Sequence, residues 1–351
     1  MNIPKRNCKI ALVGYTLNGG GLERVMATLS VYFSSQGIDV HTIVLTDDVQ
    51  YPYGGTLVNI GKRKEKHKGI FGKLKLLRYL KTYLKEQQFD YVIDFRYRIK
   101  PLQEVIFANW VYSSKTIYTI HSGKISTYIP ENKALANLIF KKKYAVVCVS
   151  DAIREKVKAV YHFENLFRIY NPIPNYKHEG TDFKPDFQYV IGMGRFDASN
   201  VKQLDKLAET YLQSELPQKN IHLVLLGDGE RKNEIEQRFK NSELIHFSGF
   251  QENPYAFLKN AMFLVLSSKY EGFPMSVVES LAAGTPVVAF DCVSGPNEII
   301  MHAENGLLVK NQDFGDLRAK INLMAADSEL HARCKQNAKA SVKQFEVDKI
   351  G

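Results

Sequence analysis

The chain has 351 residues, of which 45% are apolar and 24% charged, and its formal net charge is +10. This length favours two domains of about 150 to 200 residues over one very large domain. No run of about 18 apolar residues is present that could span a bilayer, and the polar start leads into no signal-peptide core. We therefore expect a cytosolic protein whose four cysteines, which lack metal-ligand spacing, are reduced and structural.

Apolar runs in the first half recur at intervals long enough for a helix between successive strands. This rhythm predicts a doubly wound parallel α/β sheet. Ser150 stands after the last run, where it is expected to cap the next helix rather than take part in chemistry. The predicted strands are Ile10–Val13, Val40–Leu45, Tyr91–Ile93, Thr116–Ile120 and Ala145–Val149.

A glycine-rich turn follows the first predicted strand and opens a helix. Gly20 and Gly21 stand in it beside a third glycine, Gly19. Glycine lets backbone amides approach a ligand closely, although a tight turn alone also requires it. The spacing is not that of the G-x-G-x-x-G fingerprint, so the sequence does not support a dinucleotide site.

The basic character belongs to the first half alone. Residues 1–175 contain 27 Lys and Arg against 13 Asp and Glu, a net charge of +14, whereas residues 176–351 contain 20 against 24, a net charge of −4. The densest part, Lys62 to Lys85, has ten basic residues and one acid.

Two interpretations of this basic segment remain open. Ile70, Phe71, Leu74, Leu77, Leu80 and Leu84 recur within it at helical spacing. Such a helix either lies on an anionic membrane surface or packs on its own core with solvated lysines. No aromatic residue interleaves the first lysines, which argues against nucleic-acid binding. The candidate contact residues are Lys62, Arg63, Lys64, Lys66 and Lys68.

His121 directly follows the fourth predicted strand. The carboxyl edge of a parallel sheet is where ligands bind, so His121 is a candidate site residue, although a lone histidine is more often structural.

A stiff connector with two prolines, Tyr170–Asn175, predicts a boundary between domains 1–171 and 172–351. The strand rhythm then restarts and predicts a second doubly wound sheet. Its predicted strands begin at Val190 and continue with His222–Leu226, Leu244–Phe247, Met262–Leu266 and Pro286–Phe290.

Arg195 follows the first strand of this second sheet, and Lys202 stands seven residues later. An arginine at a strand end and a lysine at the next helix start can together bind a diphosphate, although loop lysines are often merely solvated.

The stretch from Lys269 to Asp291 predicts a loop, a helix and a strand in succession. The backbone amides around Phe273 to Ser276 then lie at a helix N-terminus, where anions bind. Glu271 and Glu279 flank them and can accept hydrogen bonds from ligand hydroxyls. Ser276 and Glu279 also have the spacing of a capping box, in which Glu279 would serve only its own helix.

The stretch after Lys269 resembles the signature of the retaining glycosyltransferase family 4, with two glutamates eight positions apart and Gly-Phe-Pro after the first. The resemblance implies the GT-B fold, with two Rossmann-like domains that face a cleft and a nucleotide sugar as donor. It implies catalytic roles for His121, Arg195, Lys202 and Glu271. It implies donor contacts at Gly20, Gly21, Gly194, Gly227, Asp228, Gly229, Phe247, Gly272, Phe273, Pro274, Met275, Ser276 and Glu279.

We expect the protein to transfer a hexose or N-acetylhexosamine by front-face attack, with retention of the anomeric configuration. Among similar sequences the donor is most commonly a UDP-sugar. No Asp-x-Asp triplet is present, so we expect no metal and no cofactor beyond the donor. The resemblance also implies a glycan or lipid-linked acceptor of surface-polysaccharide assembly, at the inner face of the plasma membrane. The alternative is a non-catalytic GT-B module that partners another transferase.

Family 4 enzymes commonly end in a helix that crosses back onto the first domain. Phe345 to Gly351 resembles the beginning of that helix.

Overall fold

The computed structural model describes residues 8–64, 69–113, 115–174 and 183–351. The chain divides into two compact units, Met1–Pro172 with Val347–Gly351, and Ile173–Glu346. The division lies one residue from the predicted boundary. The last five residues, which that boundary placed in the second domain, group with the first unit, as expected of a helix that crosses back onto it; their helix packs against the first long helix of that unit.

Within its described residues, the first unit contains seven parallel strands in the order β3-β2-β1-β4-β5-β6-β7. The strands are β1 Lys9–Gly14, β2 Asp39–Val44, β3 Thr56–Asn59, β4 Tyr91–Asp94, β5 Thr116–Ile120, β6 Ala145–Cys148 and β7 Leu166–Arg168. The helices are α1 Gly21–Ser35, α2 Gly61–Lys64, α3 Gly69–Gln87, α4 Pro101–Ile106, a π-helix Phe107–Val111, α5 Lys133–Phe140, α6 Asp151–Val160 and, from the chain end, α14 Val347–Ile350.

The second unit has six parallel strands among its described residues, in the order β10-β9-β8-β11-β12-β13. The strands are β8 Tyr189–Met193, β9 His222–Leu226, β10 Ile245–Phe247, β11 Leu264–Leu266, β12 Val287–Phe290 and β13 Gly306–Val309. The helices are α7 Leu204–Leu212, α8 Lys232–Arg238, α9 Tyr255–Asn260, α10 Met275–Ala283, α11 Pro296–Ile299, α12 Phe314–Ala326 and α13 Ser328–Ser341.

The central strands are buried on both faces, which explains their continuous apolar runs. The prediction of two doubly wound parallel sheets is therefore confirmed. Three strands were not predicted: β3, β7 and β13. All three lie at the edge of a sheet and are only three or four residues long.

Two further predictions can be compared with the structure. Ser150 caps α6 and accepts a hydrogen bond from the Ile153 amide at 3.3 Å. The four cysteines are unpaired, and three of them are buried. Among the described residues, no helix is both long and apolar enough to cross a membrane.

Candidate active site

The loop after β8 holds the first two predicted phosphate-binding residues. Arg195 is exposed and forms no ion pair with any described residue. Gly194, just before it, donates its amide to the Leu226 carbonyl at 3.0 Å. A Cβ atom at Gly194 would lie 2.6 Å from Lys202 Cγ. Glycine at position 194 therefore allows the lysine stem to lie directly across the backbone at the strand end.

Lys202 pairs with Glu271 across the carboxyl edge of the second sheet. Lys202 Nζ lies 2.6 Å from Glu271 Oε1, and the two side chains are 24% and 11% exposed. The Lys202 carbonyl accepts a hydrogen bond from the Ser267 hydroxyl at 2.8 Å. The backbone of Lys202 is thus held in place, and the charged groups of the pair are partly exposed to a ligand.

The loop after β9 depends on its two glycines. Gly227 and Gly229 have φ angles of +138° and +149°, which L side chains rarely adopt. A Cβ atom at Gly227 would lie 1.8 Å from the Gly194 carbonyl oxygen, and one at Gly229 would lie 2.5 Å from that of Phe196. The Phe196 amide donates to the Asp228 carbonyl at 3.0 Å. The loops after β8 and β9 therefore touch through their backbones.

The next loop joins the same edge of the sheet. The Gly227 amide donates to the Gly249 carbonyl at 2.8 Å. Phe247, at the end of β10, is half-buried, and its ring centre lies 6.2 Å from that of Phe196. The structure thus brings the predicted residues of three loops together.

The loop before α10 is fixed by the segment that follows β12. The Ser294 hydroxyl donates to the Glu271 carbonyl at 2.6 Å. Gly295 has a φ of +102°, and a Cβ atom there would lie 2.5 Å from Pro274 Cδ. Gly272, Phe273, Pro274 and Met275 are all buried. Side-chain packing therefore holds Glu271 and the first turn of α10 in a defined place.

Ser276 does not form the capping box. Pro274 is the N-cap residue of α10 and makes no side-chain cap, so Ser276 is the second residue of the helix. The Ser276 hydroxyl is buried and has no hydrogen-bond partner among the described residues. Glu279 lies one turn into the helix and is 4% exposed. A buried hydroxyl with no partner among the described residues suits a polar ligand, and Glu279 lies one helical turn from it.

The glycine turn of the first unit has the predicted form. Gly20 is the N-cap of α1, with an extended backbone, and Gly21 is the first helical residue. The positive φ falls on Gly19, at +73°. The turn itself therefore requires Gly19, which leaves Gly20 and Gly21 as candidates for close approach to a ligand.

His121 follows β5 and is the most unusual side chain at the edge of the first sheet. Both ring nitrogens are buried and have no hydrogen-bond partner among the described residues. Burial, with a contribution from Arg98, lowers the pKa of His121 to about 3. The imidazole is therefore neutral near pH 7, with one donor and one acceptor that a ligand hydroxyl could satisfy.

A buried charge cluster beside β4 was not predicted from the sequence. Arg96 and Arg98 are 0% and 1% exposed. The Arg96 guanidinium donates to Asp94 Oδ2 at 2.9 Å and to Glu104 Oε2 at 2.8 Å, and stacks 3.9 Å from the Phe107 ring centre. The sequence signal that could have indicated this cluster is the alternation of aromatic and basic residues, Phe95 to Arg98, directly after β4.

Arg98 organises the loop that contains His121. Its guanidinium donates to three backbone carbonyls, those of Arg96 at 2.9 Å, Thr119 at 2.7 Å and Tyr128 at 3.0 Å. Thr119 precedes His121 in the chain and Tyr128 follows it. Arg98 therefore ties both ends of the histidine loop to the end of β4.

The described residues of the basic segment lie in α2 and α3. Lys62, Arg63 and Lys64 are exposed on α2; Lys66 and Lys68 lie outside the described residues. The Arg63 guanidinium stacks 4.2 Å from the Tyr79 ring centre of α3.

The apolar stripe of α3 is buried at one end of the helix and exposed at the other. Leu80 and Leu84 are buried against the unit, as in an ordinary core helix. Phe71 is 88% exposed and Leu74 is 41% exposed.

In the described parts of the chain, no three His, Cys, Asp or Glu side chains converge as metal ligands would.

Comparison with known proteins covers nearly the whole chain. The family model "Glycosyltransferase Family 4" matches residues 19–175, and "Glycosyl transferases group 1" matches residues 176–341. One relative from Campylobacter jejuni is 26% identical over 361 residues, covering 97% of this chain and 97% of its own. Its name is N-acetylgalactosamine-N,N'-diacetylbacillosaminyl-diphospho-undecaprenol 4-alpha-N-acetylgalactosaminyltransferase.

Two solved structures share the fold at low identity. HepE from Anabaena, in complex with UDP-glucose, has a TM-score of 0.77 and 18% identity, covering 97% of this chain and 96% of its own. A TarM variant from S. aureus, in complex with fondaparinux, alpha-GlcNAc-glycerol and UDP, has a TM-score of 0.77 and 15% identity, covering 98% of each chain. The predicted GT-B fold is confirmed by these likenesses.

Proposed function

Because this chain belongs to the group 1 glycosyltransferases, we propose that it moves a hexose or N-acetylhexosamine from a UDP-sugar to a lipid-linked or surface glycan acceptor. The observation that carries the proposal is the cationic edge of the second sheet. There, Lys202 contacts Glu271, and Arg195 is exposed without an ion-pair partner among the described residues.

The departing nucleoside diphosphate needs positive groups that are in place before the bond breaks. Arg195 offers a bidentate guanidinium and Lys202 a point charge. The amides at the start of α10, beginning with Met275 and Ser276, add the positive end of a helix. We assign these groups to the diphosphate, and the glycine loops at Gly194 and Gly227 to Gly229 to the nucleoside.

Two carboxylates are assigned to hydroxyl groups of the donor. Glu279 is buried on α10, one helical turn from the amides assigned to the diphosphate, which supports a contact with the ribose. Glu271, already paired with Lys202, is assigned to the hydroxyls of the sugar. Because the Glu271 carboxylate is held by Lys202 and assigned to sugar hydroxyls, we do not assign it as a nucleophile, and we propose front-face attack with retention of configuration.

We propose that the diphosphate is neutralised without a metal, since cationic side chains already occupy that role. His121 is assigned to a ligand hydroxyl, as its two buried nitrogens have no partner among the described residues. Similar proteins support the choice of substrates: the Campylobacter relative is named for a diphospho-undecaprenol acceptor, and HepE was solved with UDP-glucose.

A lipid-linked acceptor would place the enzyme at a membrane. The +14 net charge of residues 1–175 and the exposed Lys62, Arg63 and Lys64 support peripheral attachment to an anionic surface, which we propose is the inner face of the plasma membrane. The remaining basic candidates, Lys66 and Lys68, lie outside the described residues.

The test begins with a thermal-shift panel of UDP-, GDP- and ADP-sugars and continues with turnover of each stabilising donor, with and without EDTA. We expect UDP-sugars to stabilise the protein, to be turned over in EDTA and to give α-linked products by NMR. Arg195→Ala should lower kcat by about 2–4 kcal/mol of transition-state stabilisation. The matched control is Arg318→Ala, on an exposed arginine of α12.

Turnover of Arg195→Ala within about twofold of wild type, which is under 0.5 kcal/mol, would overturn the diphosphate assignment. Loss of turnover in EDTA that Mg²⁺ or Mn²⁺ restores would overturn metal independence. Donor binding with no turnover on any acceptor or water would instead fit the non-catalytic module.

A further inference from the structure

The segment that follows β4 presents an aromatic and an aliphatic side chain at the surface. Tyr97 is 38% exposed and Ile99 is 64% exposed. Arg96 and Arg98, which alternate with them in the chain, are buried in the charge cluster. This alternation is that of an extended segment, in which successive side chains point to opposite faces. Burial of the two arginines therefore turns Tyr97 and Ile99 outward, and neither has a role in the proposed binding of the donor.

The backbone of this segment is held by hydrogen bonds on both sides of Tyr97. The Phe95 amide donates to the Val13 carbonyl at 2.9 Å, and the Arg98 amide donates to the Thr127 carbonyl at 2.7 Å. The position of Tyr97 is therefore fixed by the fold before any ligand arrives. A side chain that is ordered in advance binds a ligand without the entropy cost of being ordered at that moment.

Tyr15, from the loop after β1, packs against Tyr97. The two ring centres lie 4.4 Å apart, with 36° between the ring planes. The Tyr15 hydroxyl donates to the Tyr97 carbonyl at 3.2 Å, which fixes the pair further. Tyr15 thus backs the Tyr97 ring and leaves part of that ring open to a ligand. The face of an aromatic ring is electron-rich, so it attracts the weakly positive C–H groups on the flat side of a pyranose.

The strand register places Tyr97 beside His121. The neighbouring parallel strands β4 and β5 have Asp94 opposite Tyr118, and Tyr97 and His121 each follow that pair by three residues. The two residues therefore leave the carboxyl edge of the first sheet side by side. The buried His121 nitrogens have no partner among the described residues and suit a ligand hydroxyl. An aromatic platform next to a hydroxyl-binding imidazole offers the mixture of apolar wall and few polar groups that a sugar ring requires.

We propose that Tyr97, backed by Tyr15 and flanked by Ile99, is the platform on which a sugar ring of the acceptor stacks. This inference rests on the proposed transfer to a glycan acceptor, and it names the side chains that hold that glycan. The groups assigned to the diphosphate, the nucleoside and the sugar hydroxyls of the donor all belong to the second unit. The platform belongs to the first unit, so it serves the other substrate.

The probes are the octyl glycosides of glucose, galactose, N-acetylglucosamine and N-acetylgalactosamine. Saturation-transfer NMR identifies the glycoside protons that contact the protein and gives the affinity, and turnover with a UDP-sugar gives the KM of the glycoside. The test variants are Tyr97→Ala and Tyr97→Phe. The matched control is Tyr144→Ala, at the opposite edge of the same sheet directly before β6. Tyr144 is 52% exposed and also packs on a second tyrosine, Tyr91, with ring centres 4.8 Å apart.

We expect wild type to saturate the ring C–H protons of at least one glycoside. Tyr97→Ala should weaken the binding of that glycoside and raise its KM by about tenfold, the effect of losing one aromatic stacking contact. Tyr97→Phe should stay within about threefold of wild type, because stacking needs the ring and not the hydroxyl. The control variant should behave as wild type does. Calorimetric titration should give the same UDP affinity for wild type and every variant.

Glycoside affinity and KM within about twofold of wild type in Tyr97→Ala would overturn the inference. An equal loss in Tyr97→Phe would also overturn it, since the hydroxyl and not the ring would then be the contact. Saturation confined to the octyl chain would assign Tyr97 and Ile99 to lipid, and a loss of UDP affinity in Tyr97→Ala would assign the platform to the donor.

The NMR readout needs no reaction, so it separates this inference from the proposed function. Ring-proton saturation that Tyr97→Ala removes, without turnover of any UDP-sugar, would count against the proposed function and support the platform. Turnover in wild type without any ring-proton saturation across the glycosides would do the reverse.

Discussion

Lys202 Nζ and Glu271 Oε1 lie 2.6 Å apart although the two residues are 69 positions apart in the chain. Lys202 precedes α7 and Glu271 precedes α10, and both lie at the carboxyl edge of the second sheet. The contact joins the lysine proposed to bind the diphosphate to the glutamate proposed to bind the sugar hydroxyls.

Replacing either member of this pair should lower kcat, because each loses a contact with the donor and leaves its partner without a counter-charge. We expect a loss of about 2–4 kcal/mol in transition-state stabilisation for Lys202→Met or Glu271→Gln. The double variant should lose less than the sum, since the residues act as a unit. The matched control is Lys219→Met, which breaks the exposed Lys219–Glu215 pair at 2.9 Å. Additive losses would show that the contact is incidental.

Glu279→Gln tests the ribose assignment. Since α10 has Pro274 at its N-cap and no side-chain cap, this change should not cost the roughly 1 kcal/mol of a lost capping residue. The thermal midpoint of the free protein should stay near that of wild type, while the affinities for both UDP-sugar and UDP fall. Calorimetric titration measures both ligands. A lower midpoint with unchanged UDP affinity would return Glu279 to a structural role.

Gly227→Ala tests the contact between the loops after β8 and β9. A Cβ atom there would lie 1.8 Å from the Gly194 carbonyl oxygen, so one of the two loops has to move. The control is Gly37→Ala, at a φ of +78° with no atom within 4 Å, which should cost only about 1 kcal/mol of backbone strain. We expect Gly227→Ala to lose nucleotide affinity at least tenfold (about 1.4 kcal/mol), measured by titration with UDP. Equal behaviour of the two variants would show that the loop accommodates the methyl group.

The sequence identified the central strands and the site loops because both have strong local signals. Strands buried on both faces appear as continuous apolar runs, and Arg195 and Glu271 follow such runs within a few residues. Two of the three missed strands, β3 and β7, lack this signal because few of their residues are buried, whereas β13 is short but mostly buried. β7, for example, has two exposed residues among its three, so burial leaves little pattern to detect.

The buried cluster at Arg96 and Arg98 was missed because charged residues are usually exposed. Their burial depends on partners brought together by the fold: Glu104 on α4, and the carbonyls of Thr119 and Tyr128. Likewise, the choice between a cap and a ligand contact at Ser276 depended on where α10 begins, which spacing alone could not decide.

His121 gives the last prediction, which concerns pH. Burial lowers its pKa from 6.5 to about 3, so in acid the unfolded chain binds a proton that the folded chain does not. Stability is therefore complete above about pH 6.5 and falls as the pH drops toward 3. Between pH 7.5 and 5 this one group should cost about 2 kcal/mol of unfolding free energy. His121→Leu removes the titration, so its stability should fall less over the same range.

Urea unfolding followed by Trp110 fluorescence at the two pH values measures this difference, since Trp110 lies in the same unit as His121. Burial also lowers the pKa of His41, and that of Glu104 is raised, but both groups are present in wild type and variant. Comparing the two proteins across the two pH values therefore isolates His121. An equal pH dependence in both would mean that the imidazole gains a proton or a partner in the folded state, and the neutral, ligand-ready histidine would have to be abandoned.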